Sequence, residues 1–75
     1  MMAKRGISRI GRQGVAELID PSHEEASLEQ RRGNHAPMLA WYVLHVLPNN
    51  PKLHIDQMEL DEMEMEIALF RAEEV

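Results

Sequence analysis

At 75 residues the chain holds one small domain, and a domain of that size buries only ~60% of the surface its unfolded form exposes, so its stability alone is marginal. The absence of cysteine excludes disulfides and thiolate zinc sites as staples, leaves oligomerisation or a partner as the favoured remedy, and fits a reducing, cytoplasmic setting. The formal charge of −5 conceals a polarity: residues 1–14 carry Lys4, Arg5, Arg9 and Arg12 with no acid, whereas residues 52–75 hold eight acids against Lys52 and Arg71. Such a distribution suggests head-to-tail self-interaction or partners of opposite sign at the two ends.

The first 14 residues set Gly6, Gly11 and Gly14 among basic and small polar side chains, offer little to bury, and are predicted to form a flexible basic arm. Residues 15–75 are then a single small helical domain. "VAELI" adds one helical turn before Asp20 and Pro21 interrupt it. "SHEE" at 22–25 fits a capping box, in which Ser22 accepts from the backbone N–H of Glu25 and Glu25 reaches back. A helix is predicted to start there, run to Arg32 and stop at Gly33, with acids in its first turn and Arg31 and Arg32 in its last, as the helix dipole prefers. Only Ala26 and Leu28 are apolar within it, so its anchoring is weak.

Pro37 marks another start. From Met38 to Leu47 every residue but His45 is apolar, which describes an element buried on nearly all sides; length alone allows helix or strand, and Met38, Leu39, Ala40 and Leu44 favour helix. Trp41 is expected in the core and His45 at a core or interface position bonded to something polar. "LPNNP" at 47–51 ends the element in a turn. This apolar run is far shorter than the ~20 residues of a membrane span, and the N-terminus has no apolar stretch of the signal-peptide kind, so neither a membrane association nor a secretory leader is expected.

The stretch "MELDEMEMEI" at 58–67 alternates like a strand only in part, because Asp61 and Glu62 fall together and shift the phase. Helical spacing fits better. Leu60, Met63, Ile67 and Phe70 follow at +3, +4 and +3, one packed seam on a helix predicted from Asp56 to about Glu73. Met58, Met65, Leu69 and Ala72 form a second apolar stripe about 160° around the same axis. Glu59, Glu62, Glu66 and Glu73 lie between the two stripes as an acidic edge. One apolar face can pack internally; the other is left for a partner.

The residues give no constellation for catalysis. The paired carboxylates of 56–66 lie on an exposed edge rather than in a cleft that would push their pKa values apart. His23, His35, His45 and His54 are never three to five residues apart, so no pair shares a helix face as zinc ligands would. Ser8, Ser22 and Ser27 have no elbow or base, and "GISRIGRQG" lacks a phosphate-loop lysine. An enzyme, a cofactor and a metal are therefore not expected. "KRGISRIGR" is the best nucleic-acid candidate, through Lys4, Arg5, Arg9 and Arg12, but it lacks an interleaved aromatic for base stacking.

Over about the last 40 residues, "MLAWYVLHVLPNNPKLHIDQMELDEMEMEIALF" at 38–70 resembles small phage tail-assembly chaperones, which show a tryptophan-bearing helix, a short turn and a Leu/Met/Glu-rich helix. The resemblance implies transient, non-enzymatic binding to another virion component during assembly, and a permanent small virion protein with a docking arm is equally compatible. The expectation is thus a small all-α protein, a helical hairpin or three-helix arrangement with a basic arm. Its partner is another protein or a second copy, bound through Met58, Met65, Leu69 and Ala72 and steered by Glu59, Glu62 and Glu66. The location that goes with it is cytoplasmic, or virion-associated for a phage protein. Nucleic acid, contacted by the arm alone, is the alternative.

Overall fold

Proline, asparagine and glycine punctuate the chain, and among the described residues there are four helices. The computed structural model describes residues 11–74: α1 (Gly11–Leu18), α2 (His23–Arg31), α3 (Ala36–Trp41) continuing through a π-helical turn (Tyr42–Val46), and α4 (Gln57–Glu74). No strand occurs among the described residues, and the fold is all-α.

α2 starts and stops as its local chemistry dictates. Ser22 Oγ accepts the Glu25 N–H at 3.1 Å, and the Ser22 N–H donates to Glu25 Oε1 at 3.1 Å, which closes the capping box. At the far end Gly33 takes φ +96°, the left-handed conformation that glycine adopts without a Cβ penalty, and the Gly33 N–H donates to the Gln30 carbonyl.

α3 begins with Pro37 in its first turn. Its buried line is Ala36, Pro37, Ala40, Val43 and Leu47, while Met38, Leu39, Tyr42, Leu44 and Val46 are half-buried, so the element is one-sided rather than buried all round. His45, expected at a core or interface position with a polar partner, is not in the core, and its polar partner is Asp20. It stands two residues from both Val43 and Leu47, roughly opposite the buried line on a helix, and is exposed. At the end of the rod the Leu47 N–H reaches the Tyr42 carbonyl at 2.9 Å, an i to i+5 bond. Asn49 Nδ2 then donates to the His45 carbonyl at 2.6 Å and Asn50 Nδ2 to that of Val46 at 2.8 Å, satisfying carbonyls that the terminating helix leaves open.

The core gathers Val15, Ala36, Ala40, Val43, Leu47 and Ile67, ringed by Leu18, Ile19, Leu39, Tyr42, Leu44, Ile55, Leu60, Met63 and Phe70. α3 packs against both α2 and α4, and α1 packs against α4 and the π-helical turn. Of the predicted α4 seam, Ile67 lies in this core and Leu60, Met63 and Phe70 pack against it. Full burial of a side chain such as Ile67 contributes about 2 kcal/mol. Trp41 stands outside that cluster, half-buried, with its ring centroid 4.5 Å from His23 and 6.1 Å from His45.

α1 changes the predicted boundary of the arm. Residues 11–14 form its first turn, and Val15, fully buried, ties it to the core. A short helix with two glycines is unstable by propensity alone, so tertiary docking holds it. Arg12 is exposed on α1, whereas Lys4, Arg5 and Arg9 lie outside the described residues.

Candidate functional site

α4 turns two unlike surfaces outward. Once the seam faces the core, the opposite side carries Met58 at 74% exposure, Leu69 at 49% and Met65 at 38%, with exposed Ala72 along the same line. The stripe therefore stands in solvent where the sequence placed it. It spans fifteen residues from Met58 to Ala72, about 21 Å along the axis. Unbranched methionines at two of its positions give a surface that repacks against differently shaped neighbours.

Glu59, Glu62, Glu66 and Glu73 are exposed and follow the stripe along one side. Glu59, Glu62 and Glu66 form no ion pair or hydrogen bond among the described residues, so their charge is not compensated there. Across this ridge the surface falls into a groove of about 390 Å³ between α4 and the α3 rod, lined by Leu39, Tyr42, Ile55 and Met63 together with the three glutamates and His54. The carboxylates thus border the apolar stripe on one flank and a groove of mixed polar and apolar lining on the other.

Glu64 was not singled out by its sequence position, and it is the anomaly of α4. It is 2% exposed, and its Oε2 has no hydrogen-bond partner among the described residues. The available signal was its spacing, four after Leu60 and three before Ile67, which places it on the seam side with Ala68. Its burial completes the side of α4 that faces its neighbours and adds nothing to the exposed ridge. The polar partner expected for His45 is Asp20, whose Oδ1 lies 3.2 Å from His45 Nε2 near the His23–Trp41–His45 ring contacts; its identity, 25 residues away, is beyond sequence reach.

For cation chemistry the arrangement offers little. Among the described residues no group of three or more His, Asp or Glu side chains converges to hold a metal ion, and His54 and Asp56 stand on the surface as exposed residues. No helix of the described residues is long and apolar enough to cross a membrane. Comparison with family models, with curated proteins and with solved structures gives no match for this chain.

Proposed function

We propose that the protein is a non-enzymatic interaction module that binds another protein, or a second copy of itself, through the outer face of α4. One observation carries this reading: Met58, Met65 and Leu69 remain exposed along one line of α4 while the seam on its other side is spent on the core. An apolar strip of about 21 Å flanked by carboxylates is what a helix-in-groove or helix-on-helix contact uses. The glutamates act in steering and in rejecting acidic partners more than in raw affinity. A role in phage assembly, as a chaperone or a small virion component, is compatible with this reading and rests on the resemblance of residues 38–70 alone.

The test is the double substitution Met58→Ser with Met65→Ser, read by light scattering and by capture of partners on immobilised protein. Loss of the oligomer or of the captured partner with helicity retained is the expected result. Unchanged association with an intact fold sinks the proposal.

A second reading draws on a specific feature, the four cations Lys4, Arg5, Arg9 and Arg12 unaccompanied by acid in the first 14 residues. They suit electrostatic tracking of a phosphate backbone. Removing residues 1–10, which leaves α1 whole, abolishes salt-sensitive retention on DNA or RNA under this reading; negligible retention before and after removes it.

A further inference from the structure

The partner face of α4 carries its own specification of what it accepts. We infer that its occupant is a basic amphipathic segment of another protein, seated by apolar residues on Met58, Met65 and Leu69, with an arginine crossing the glutamate ridge into the groove beside Tyr42. This inference rests on α4 being the binding face, and it adds the chemistry of what binds.

Three observations converge on it. The first is charge: Glu59, Glu62 and Glu66 have no partner among the described residues, and residues 52–75 hold eight acids against two bases. The second is symmetry, which argues against a second α4 as the occupant. In an antiparallel two-fold pair along the stripe, each ridge faces the ridge of its copy. In a parallel pair, the ridge faces the other side of the stripe, where Asp61 stands. Like charges are juxtaposed either way, and that disfavours self-pairing.

The third is the shape of the ridge itself. Its glutamates line a groove whose other walls are Leu39, Tyr42, His54, Ile55 and Met63. An arginine side chain matches that combination: its methylene stem lies on apolar wall, its guanidinium meets carboxylates in a fork geometry, and its plane stacks on an aromatic ring. Lysine fits the charge but not the fork or the plane, so arginine is the favoured residue.

The test uses the full chain and three labelled helical peptides about as long as α4, each with leucines spaced i, i+3, i+4 and i+7. One carries arginine at its polar positions, one carries citrulline, the neutral isostere, and one carries glutamate. Binding is followed by fluorescence anisotropy at low and at physiological salt, and self-association of the same protein by light scattering. The expected result is that the arginine peptide binds at least about tenfold more tightly than the citrulline peptide and that salt narrows the gap. Glu59→Gln, Glu62→Gln and Glu66→Gln together remove that preference, Tyr42→Leu reduces it, and Glu17→Gln with Glu24→Gln, away from the groove, does not. Met58→Ser with Met65→Ser weakens all binding.

Equal binding of the arginine and citrulline peptides, or a preference unaffected by the ridge substitutions, overturns the inference. If the stripe substitutions then still dissolve a self-associated species, the interaction reading stands with a different occupant. If they change neither peptide binding nor self-association, both fall.

Discussion

Glu64 and Glu62 are the same residue type on the same helix, yet one is buried and the other exposed. A carboxylate withdrawn from water with an unpaired oxygen costs folding free energy, and a nonpolar side chain of similar length removes that cost. Glu64→Met is therefore expected to stabilise the protein by about 1–3 kcal/mol, measured as a higher urea midpoint at unchanged slope. A fall in the midpoint would show that Glu64 makes an interaction worth more than its desolvation. At the start of α2, Ser22→Ala is expected to cost ~1 kcal/mol, because both arms of the capping box depend on Ser22 and Glu25 holding each other. By contrast His45→Gln is expected to change stability by less than ~0.5 kcal/mol, since the His45 and Asp20 side chains are 46% and 59% exposed and a solvated pair of that kind contributes little.

At the scale of the element, α4 shows how one helix divides its labour. Ile67 is fully buried and Met58 is 74% exposed, although both read as large apolar residues in sequence. Ile67→Ala is expected to cost ~2–5 kcal/mol by loss of transfer energy and by the cavity left behind. Met58→Ser is expected to lie within ~0.5 kcal/mol of the parent. Thermal or chemical denaturation of the two variants side by side checks this. Near-equal costs would mean that Met58 is packed in solution, and the outer face of α4 would then be covered in the free protein. α3 makes a related point: a run that is apolar at nine of ten positions from Met38 to Leu47 still buries only one line fully, because among the described residues the helices that pack on it, α1, α2 and α4, leave its other side in water.

The whole molecule is thin. Its smallest dimension is 19 Å, about two helix layers at a packing distance of 8–10 Å, which leaves room for only a small core. With a core of this extent the isolated chain is marginal in stability, and an apolar strip on the outer layer gains most from association. The corresponding measurement is molar mass by light scattering together with helicity by circular dichroism over a hundredfold concentration range. A discrete helical oligomer would place a copy on the stripe; a monomer with concentration-independent helicity would leave the stripe to a different protein, as the charge argument expects.

Local chemistry determined much of this arrangement from sequence alone. The capping box of Ser22 and Glu25, the glycine stop at Gly33, the proline start at Pro37, the break at 47–51 and the two-faced spacing of 56–73 are all interactions or exclusions between residues a few positions apart, so they are written in the order of the residues. The all-α class and the seam of Leu60, Met63, Ile67 and Phe70 follow from them. What tertiary structure decided are the features that depend on a distant neighbour. α1 is a helix because Val15 finds the core, not because "GRQG" favours one. Glu64 is buried because neighbouring helices close over its side of α4. Trp41 and His45 leave the core because α3 has only one packed side, and the groove beside Tyr42 exists only when the α3 rod lies along α4. Periodicity tells which residues share a face of a helix, and only the packing of the other helices tells which face meets water.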